Sequence, residues 1–305
     1  MAIINSIKLF IRKALGLTHL ENQVISLQQQ QSQTIELLEK LNQQLLRETC
    51  QELVTENKSG SILTCQMNDM EVLAPVEMLR IYPHCLHPKN DKKLTYYVET
   101  HCSNWLCSQI KEGDTVLDIG SAFGVIALPL SRAVGSQGHV YAFEPAKRTQ
   151  HFLQQIVDLN HLDNVTVVKA AIADKPGEAE FIEYTPDNEL TWASDVSTLN
   201  APTVSHSLKH ETYKVEVTTI DDYVAAHNLQ PKALKIDIEG FELYALHGAK
   251  TTLTTYLPYL CIDIHKDVQT GESALLGVEP FLSHLGYETR LEGHTLLCIP
   301  AKTHQ

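Results

Sequence analysis

Long apolar runs are missing from this sequence. No stretch reaches the length of about 18 apolar residues that a membrane-spanning helix needs. No CxxC pair occurs either, and the seven cysteines are scattered singly. Single cysteines in odd number are typical of a reducing compartment and unlike a disulfide framework. These two absences predict a cytoplasmic protein with no membrane span.

Positive charge is also scarce. The chain carries 24 lysines and arginines against 37 aspartates and glutamates, which gives a formal net charge of −13. Because a polyanion such as duplex DNA is bound by a basic face, this composition predicts that nucleic acid is not a partner. A small cationic ligand fits the charge better. The hydrophobic content of 43% over 305 residues is ordinary for a globular protein with a buried core.

Proline and glycine are absent between Leu17 and Asn57, so one long helix is predicted there. Positions spaced alternately by four and three residues form an a/d heptad seam. The seam consists of Leu20, Val24, Leu27, Gln31, Thr34, Leu38, Leu41 and Leu45. Its two polar members weaken it, so two uses stay open: pairing with a second copy of the chain through residues 20–45, which we favour, or docking as a single helix. Residues 1–57 are therefore predicted to form a coiled-coil-like extension that ends at the NKSG segment.

The first part of this extension has a pattern of its own. As a helix, residues 1–17 place isoleucines and a phenylalanine on one side, with Lys8, Arg12 and Lys13 mostly elsewhere. The basic residues interrupt the apolar stretch, which disfavours a signal peptide. Two alternatives stay open for this amphipathic helix. It packs against protein, or it makes a peripheral contact with the inner face of a membrane, as helices with apolar and basic faces do.

A nucleotide-binding pattern begins at residue 115. The segment TVLDIG is a short apolar strand that contains Asp118, and it is followed by the turn GSAFG and the apolar helix VIALPLSRAV. The glycines of this turn allow the backbone to approach a ligand. The next strand, HVYAFEP, ends at Glu144, whose carboxylate can accept both hydroxyl protons of a ribose. The order strand, glycine turn, helix, strand predicts a Rossmann-like α/β unit.

The glycine spacing distinguishes between two cofactors. A dinucleotide site uses G-x-G-x-x-G so that a pyrophosphate can sit on the helix N-terminus. Here the glycines are Gly120 and Gly124, and Ala122 stands where the pyrophosphate needs its closest approach. S-adenosylmethionine has no phosphate, so one tight turn and acidic residues suffice. We therefore predict S-adenosylmethionine as cofactor, with Asp118 at its methionine ammonium group and Glu144 at its ribose.

Strands and helices alternate through the rest of the chain. The predicted segments are strands at 165–173, 233–240 and 259–265, a helix at 241–253 and a closing hairpin that turns at Gly293. This order predicts an α/β fold with a doubly wound, mainly parallel sheet in residues 113–305. Residues 61–112 precede it as a cap or substrate-side region. The polar segment 185–212 is long for a simple connection, so we predict a lid or substrate loop, with a disordered surface insertion as the alternative.

Together these motifs resemble the FkbM family of O-methyltransferases. The similarity runs from Asp114 to His265 through VLDIGSAFG, FEP, NVTVVKAAIAD, TIDDY, LKIDIEGFEL with HGA, and IDIH. It implies a class I methyltransferase fold with a seven-stranded sheet, S-adenosylmethionine as methyl donor, and a hydroxyl of a sugar, glycan or related small molecule as acceptor. The first loop departs from the family pattern D-[IV]-G-A-N-x-G, because Ser121 and Ala122 replace alanine and asparagine. The cofactor-binding residues that the resemblance implies are Asp118, Gly120, Ser121, Gly124, Glu144, Pro145, Ala171, Ile172 and Asp237.

Three ionisable residues are candidates for the transfer chemistry. Asp237 and Glu239 lie at the C-terminal end of the predicted KIDIEG strand and, two residues apart in an extended chain, share one face. His265 ends the neighbouring strand, at the edge where open α/β sheets bind ligands. Because an alcohol needs an acceptor for its proton, we predict Asp237, His265 and Glu239 as catalytic residues.

Other roles stay open for these three residues. Asp237 can cap the helix that follows, Glu239 can pair with Lys235, and His265 can be a hydrogen-bonded residue at a strand end. A further alternative is a divalent metal held by Asp237, Glu239 and Asp263 or His265, which we do not favour over a metal-free site.

Other classes of protein compete with the methyltransferase. A nucleic-acid methyltransferase is disfavoured because the sequence has no Asn/Asp-Pro-Pro-aromatic motif and no basic patch. A dehydrogenase is disfavoured by the glycine spacing. The alternative from a different class is a coiled-coil scaffold whose methyltransferase-like domain has lost activity. The acidic residues of the candidate site favour the enzyme, because an idle site has no need of them.

Overall fold

The computed structural model describes residues 17–68, 70–81, 87–88, 100–184, 197–199, 201–202 and 209–301. By its internal contacts the chain divides into two compact units, residues 1–49 and 50–305. The amphipathic helix predicted for residues 1–17 lies outside the described residues, apart from Leu17. The domain limits predicted at residues 57, 61 and 113 stay predictions.

Within the described residues the chain forms fourteen strands and nine helices. The strands are β1 (Ile62–Met67), β2 (Met70–Pro75), β3 (His87–Pro88), β4 (Thr115–Ile119), β5 (His139–Phe143), β6 (Val165–Val168), β7 (Ala171–Ile172), β8 (Gly177–Tyr184), β9 (Thr198–Leu199), β10 (His210–Thr218), β11 (Pro231–Ile236), β12 (Tyr259–Asp263), β13 (Tyr287–Glu292) and β14 (Thr295–Pro300). The helices are α1 (Leu17–Glu56), α2 (Val76–Ile81), α3 (Thr100–Gln109), α4 (Ala127–Val134), α5 (Lys147–Leu159), α6 (Ile220–Ala226), α7 (Glu242–His247), α8 (Lys250–Thr255) and α9 (Leu275–His284).

Helix α1 confirms the long helix predicted for the extension, although its pairing in a coiled coil stays a prediction. It is 40 residues long. Five apolar seam residues are between 48% and 64% exposed, namely Val24, Leu27, Leu38, Leu41 and Leu45. Among the described residues, no helix combines the length and apolar character needed to cross a membrane.

Seven strands form the central sheet in the order β13-β14-β12-β11-β4-β5-β6. The five strands from β12 to β6 are parallel, and β14 runs antiparallel to both β12 and β13. The strands that follow β4 in the chain, β5 and β6, lie on one side of it, whereas the strands that follow β11 lie on the opposite side of the sheet. This reversal leaves a crevice at the carboxyl ends of β4 and β11. The predicted Rossmann-like, mainly parallel seven-stranded sheet with its closing hairpin is confirmed.

Helices cover both faces of the central sheet, as the doubly wound fold requires. One apolar cluster contains Val116 of β4 and Leu130 of α4. The cluster on the other face contains Leu117 of β4 and Leu246 of α7. All four side chains are fully buried. Val116 and Leu117 are neighbours in β4 and face opposite layers of helices. Both faces of this strand are therefore apolar, as is typical of a parallel strand covered on both sides.

Two predicted elements are interrupted. The strand predicted over 165–173 leaves the central sheet after β6, and β7 pairs with β10 instead. Within the described residues β6 is the last strand of the central sheet, so β5 alone pairs with it. The helix predicted over 241–253 is divided at Gly248, where a Cβ would clash with the carbonyl oxygen of Ala173. Both differences arise from contacts between residues that are distant in the chain.

A second, smaller sheet has the order β7-β10-β8-β9. Its apolar cluster includes Phe181, Leu199 and Val217. The segment 185–212 was predicted as a loop, but β9 pairs with β8 and β10 begins at His210. The loop prediction is therefore wrong for these residues, because β8 offers Thr198 and Leu199 a pairing edge. Residues 185–196, 200 and 203–208 lie outside the described residues.

The third sheet, in the order β2-β1-β3, belongs to the region before the core. The side-chain amide of Asn160, which follows α5, accepts a hydrogen bond from Leu73 N at 2.8 Å and donates one to Leu73 O at 2.9 Å. It thus satisfies both main-chain polar groups of a residue in β2, as a neighbouring strand would. This pairing joins the region 61–112 to the core.

Two cysteines are paired in the structure. A disulfide joins Cys102 of α3 to Cys261 of β12, and the two Cα atoms are 6.2 Å apart. Among the described residues, Cys65, Cys107 and Cys298 are free. The sequence indicated no disulfide framework, and this single pair was not predicted. The partners are 159 residues apart in sequence, so spacing gave no signal for this pair.

The exposed seam of α1 leads to a testable prediction. If α1 pairs with a second copy, the double variant Leu38→Gln/Leu45→Gln should lower the mass measured by light scattering, because each buried leucine contributes about 1.5–3 kcal/mol before the entropy cost of association. The matched control is Ile35→Gln/Leu37→Gln, which changes two equally exposed apolar residues outside the seam. A monomeric parent protein, or equal effects of both double variants, would contradict pairing through the seam.

Candidate active site

A cavity of about 230 Å³ lies at the carboxyl ends of β4, β5, β11 and β12. The predicted site residues that line it are Gly120, Ser121, Glu144, Pro145, Ala171, Ile172, Asp237, Glu239, Asp263 and His265. Asp118 and Gly124, which were also predicted at the cofactor, are not among its lining residues. The structure thus gathers most of the predicted residues around one cavity.

The turn after β4 brings main chain to the cavity. Gly120 has a φ of +77°, and a Cβ at this position would overlap the carbonyl oxygen of Asp237. Ala122 has a φ of +46°, in the left-handed region that favours glycine and asparagine. Its amide donates to Glu144 Oε2 at 3.0 Å. Gly124 instead faces leucine side chains of α4 and α5, so this glycine serves the packing of the turn.

Asp118 supports the turn from inside the protein. Its side chain is fully buried. Ser121 Oγ donates to Asp118 Oδ2 at 2.7 Å, and Lys235 Nζ lies 3.9 Å from Asp118 Oδ1. Burial raises the pKa of Asp118, against the opposing effects of Lys235 and Ser121. The Asp118 carboxylate therefore orients Ser121 and Lys235 and does not line the cavity.

Lys235 is a candidate site residue that the sequence reasoning treated only as a partner for Glu239. It is 4% exposed in the central strand β11. Its Nζ donates to Gly120 O at 2.8 Å and lies 3.2 Å from Asp237 Oδ2. A lysine within the apolar run PKALKI was the signal for this role, because buried ammonium groups are retained only when paired. Lys235 links β4, the glycine turn and the residue that follows β11.

Glu144 is held at the cavity by main-chain amides. Its Oε1 accepts from Ala146 N at 2.8 Å, in addition to the bond from Ala122 N to Oε2. Burial raises the pKa of Glu144 to about 8, although the two amides lower it. The charges of Glu183 and Lys235 act on this pKa in opposite directions, Glu183 raising it and Lys235 lowering it. The carboxyl group is thus fixed in place before any ligand binds.

The second sheet fixes the start of α5. Glu183 of β8 accepts hydrogen bonds from Arg148 N at 3.0 Å and from the Tyr213 hydroxyl at 2.6 Å. The same hydroxyl accepts from Lys147 N at 2.9 Å. A carboxylate at a helix N-terminus satisfies free amides and favours the helix dipole. The sequence reasoning missed Glu183, because its partners, Tyr213 of β10 and Arg148 of α5, are about 30 residues or more away in the sequence.

The three predicted catalytic residues meet beyond β11 and β12. His265 Nε2 lies 3.7 Å from Asp237 Oδ1 and 3.7 Å from Glu239 Oε1. The strand ends at Ile236, and Glu239 has a φ of +53°. The two carboxylates therefore reach the cavity through a turn, and not through the extended alternation that the sequence argument assumed.

Glu242 completes this cluster and was missed by the sequence reasoning. It is fully buried. Its Oε1 lies 2.9 Å from His265 Nδ1 and accepts from Gly240 N at 3.0 Å. Because a carboxylate accepts the Nδ1 proton, the Nε2 atom of His265 faces Asp237 and Glu239. The sequence feature that could have indicated Glu242 is its position as the second glutamate of the EGFE segment.

The charges of the cluster stabilise one another. Burial lowers the pKa of His265, but Glu242, Glu239 and Asp237 together raise it to about 10. Burial raises the pKa of Asp237, but Lys235 and His265 bring it below its ordinary value. At neutral pH, His265 is therefore an imidazolium and Asp237 a carboxylate. An unperturbed histidine, with a pKa of 6.5, would instead exchange its proton near neutral pH.

Asp263 lines the cavity, but its contacts lie elsewhere. Its Oδ1 accepts from the Thr295 hydroxyl at 2.8 Å, and its Oδ2 lies 3.4 Å from His294 Nε2. Among the described residues, the group with metal-ligating atoms within 4.8 Å of one another consists of Asp237, Glu239 and His265. The structure thus brings together three of the four residues of the metal alternative.

Residues of the second sheet form the remaining wall of the cavity. Phe181 of β8 and residues 197–199 line it. Thr198 is buried, and its Oγ1 has no hydrogen-bond partner in the described parts of the chain. The sequence indicated a lid or substrate loop in this segment, but it did not indicate which residues reach the cavity.

The position of Lys235 predicts a strong effect on stability. Lys235→Met should lower the free energy of unfolding by about 3–5 kcal/mol, because it leaves the carboxylates of Asp118 and Asp237 buried without their cation. The measurement is denaturant unfolding. Lys232→Met is the matched control, since Lys232 is exposed on the same strand and should change stability by about 0.5 kcal/mol or less. Equal effects of both variants would contradict the assignment.

Comparison with known proteins gives two kinds of sequence match. The model of the methyltransferase FkbM domain matches residues 118–289. The chain is 29% identical over 93 residues to the protein-L-isoaspartate O-methyltransferase of Fervidobacterium nodosum, covering 30% of this chain and 44% of that protein. It is 36% identical over 73 residues to the ribosomal RNA small subunit methyltransferase G of Streptomyces coelicolor, covering 24% of this chain and 30% of that protein. The chain therefore spans less than half the length of either relative.

Solved structures show weaker likenesses. The FkbM methyltransferase of Methylobacillus flagellatus KT has 20% identity and a TM-score of 0.44, covering 62% of this chain and 44% of that chain. A SAM-dependent O-methyltransferase from Thermotoga maritima has 15% identity and a TM-score of 0.42, covering 83% and 82%. Because these scores are low, the fold is assigned from the strand order of the central sheet. The matching domain, residues 118–289 of 305, covers more than half of the sequence. The chain belongs to the FkbM methyltransferase family.

Proposed function

We propose that this protein is an S-adenosylmethionine-dependent O-methyltransferase that acts on a hydroxyl group of a sugar, glycan or related small molecule. One observation carries the proposal: Asp237, Glu239 and His265 line the same cavity as the glycine turn and Glu144. Residues suited to a methyl donor and residues suited to a hydroxyl acceptor therefore surround one space.

The cofactor-binding half of this cavity suits S-adenosylmethionine. The main chain at Gly120 and Ser121 allows close approach, and Glu144 is fixed by two amides with its remaining lone pairs available to ribose hydroxyls. Ala171 and Ile172 offer a small apolar surface for an adenine ring. When bound, the cofactor supplies the methyl group on a positively charged sulfonium, which suits a site rich in carboxylates.

The acceptor half is formed by the ionised cluster. Asp237 is the residue we assign to accept the proton of the acceptor hydroxyl, with Lys235 and His265 holding its carboxylate in place. Glu239 offers a second acceptor for neighbouring hydroxyl groups. Because transfer from a sulfonium depends mainly on alignment of the acceptor oxygen with the methyl group, a weak base is sufficient.

The net charge and the lining favour a small acceptor over nucleic acid. Two relatives are named as ribosomal RNA methyltransferases, but their matches cover only 24% of this chain. The net charge of −13 and the acidic cluster oppose the phosphates of an RNA chain. The second candidate remains an inactive scaffold with a coiled-coil extension. Calorimetric titration with S-adenosylmethionine separates the two, since a protein that does not bind it would contradict the enzyme.

The pKa of Glu144 predicts a pH-dependent affinity for the ribose. We expect 5′-methylthioadenosine to bind about tenfold more tightly at pH 9 than at pH 6.5, because the carboxylate that accepts ribose hydroxyls forms as the pH rises through about 8. This probe carries the adenine and ribose but no amine that titrates in this range. Calorimetry measures the affinity.

The control for this prediction is Glu144→Gln. The amide cannot ionise, so this variant should bind the probe more weakly at pH 9 and with no dependence on pH. Equal affinities of parent and variant at pH 9 would show that Glu144 does not hold the ribose.

A second prediction concerns catalysis. Asp237→Asn should lower turnover by about 100-fold or more while the affinity for S-adenosylmethionine stays within a few fold, because the acceptor oxygen loses its proton acceptor. The assay is release of S-adenosylhomocysteine with a panel of sugars and glycan fragments. Asp263→Asn is the control, since it changes a carboxylate that lines the cavity but hydrogen-bonds to Thr295. If His265→Ala abolishes activity and Asp237→Asn does not, the base is His265.

A further inference from the structure

We infer that Asp237, Glu239 and His265 form a binding site for a divalent cation of the Mg²⁺ and Mn²⁺ kind. The carboxylates come from the turn after β11 and the imidazole from the residues after β12. Two separate segments of the chain therefore present ligand atoms to one point of the cavity, at the edge of the sheet where the acceptor is proposed to bind.

The distances within the cluster suit a shared ion. His265 Nε2 is 3.7 Å from an oxygen of each carboxylate, and the three ligand atoms lie within 4.8 Å of one another. Ligands placed about 2.0–2.3 Å from a common ion are separated by roughly 3–4 Å when they occupy neighbouring positions. The cluster needs little movement to reach this geometry.

The chemistry of the three ligands selects among metals. Two carboxylates suit Mg²⁺, Ca²⁺ and Mn²⁺, whereas an imidazole is a ligand that Mn²⁺ accepts more readily than Ca²⁺. The side chains of Asp237, Glu239 and His265 are 16%, 26% and 27% exposed, so water and an acceptor hydroxyl can complete the coordination. These three ligands favour an ion whose remaining coordination positions are occupied by exchangeable water or by the acceptor.

Glu242 supplies an independent observation for the site. Metal-ligating histidines commonly donate their other ring N–H to a carboxylate, which orients the ring. Glu242 Oε1 holds His265 Nδ1 at 2.9 Å in this way, from a fully buried position. Its Oε2 has no hydrogen-bond partner among the described residues. A buried carboxylate oxygen without a partner indicates that the charge of Glu242 is not fully compensated by the described cluster.

The balance of charge also favours a cation. Lys235 faces Asp118 and Asp237, whereas Glu239 and Glu242 face His265. The cluster therefore places four carboxylates around one lysine and one histidine. A dication that binds Nε2 of His265 replaces the proton of the imidazolium there, which is released to solvent, and the remaining positive charge compensates this excess where Asp237 and Glu239 converge.

The role of the ion rests on the proposed function. A cation held by Asp237, Glu239 and His265 orients an acceptor that carries neighbouring hydroxyl groups, and it lowers the pKa of the hydroxyl that receives the methyl group. Acceptors with vicinal hydroxyls, such as sugars, offer two oxygens to one ion. The site therefore favours acceptors in which two neighbouring hydroxyl oxygens can bind the same ion.

Binding of Mn²⁺ alone tests the inference. The full chain is treated with EDTA, desalted and titrated with Mn²⁺, and the free ion is counted by electron paramagnetic resonance with and without S-adenosylmethionine. We expect one saturable site, which Mg²⁺ displaces. Glu239→Gln should weaken Mn²⁺ binding at least about tenfold, and Glu242→Gln by about 10- to 100-fold through the orientation of His265. Circular dichroism confirms that each variant is folded.

The control is Glu272→Gln, which removes an exposed carboxylate in the loop after β12 and should leave Mn²⁺ binding unchanged. No binding at millimolar Mn²⁺ under either condition, or binding that Glu239→Gln leaves intact, would overturn the inference. Methyl transfer that persists without Mn²⁺ binding would leave the proposed function standing and remove the metal. Specific Mn²⁺ binding by a chain that does not bind S-adenosylmethionine would do the reverse.

Discussion

The site depends on one buried ammonium group. Lys235 contacts Asp118, the carbonyl oxygen of Gly120 and Asp237, so a single cation joins the end of β4, the glycine turn and the end of β11. A charge can stay inside a protein only if its partners are close and well oriented. The positions of these three segments are therefore mutually fixed, and the two strands at the switch point of the sheet keep a constant relation to each other.

Two walls of the cavity hold their carboxyl groups in different ways. The wall near Glu144 is built from main-chain amides that hold a carboxyl group, whereas the wall near Asp237 is built from side chains that hold one another. The first arrangement tolerates little movement, because amides are set by the path of the backbone. The second can rearrange around a ligand, because side chains change rotamer more easily than the backbone changes course.

Much of this architecture could be predicted from the sequence. Alternating apolar strands and helices indicated a mainly parallel sheet, whose strand order the structure supplies. The glycine turn, the acidic residues at strand ends and the family resemblance together indicated nine of the residues around the cavity, in addition to Asp263. Glu183, Glu242 and the disulfide partner of Cys102 were missed, because each depends on a contact between segments far apart in the chain. Asp118 was predicted at the cofactor, but its side chain is buried behind the residues that line the cavity. The sequence pattern of a strand does not indicate how deeply a carboxylate near its end is buried.

Ala122 shows how a family pattern can change without loss of geometry. The residue adopts a left-handed conformation that asparagine accepts more readily, yet its contribution to the site is the amide that binds Glu144. Every amino acid except proline carries that amide. Divergence at this position therefore affects the conformational cost of the loop and leaves its hydrogen bond available, so sequence drift in the motif is a poor indicator that a relative has lost its ligand.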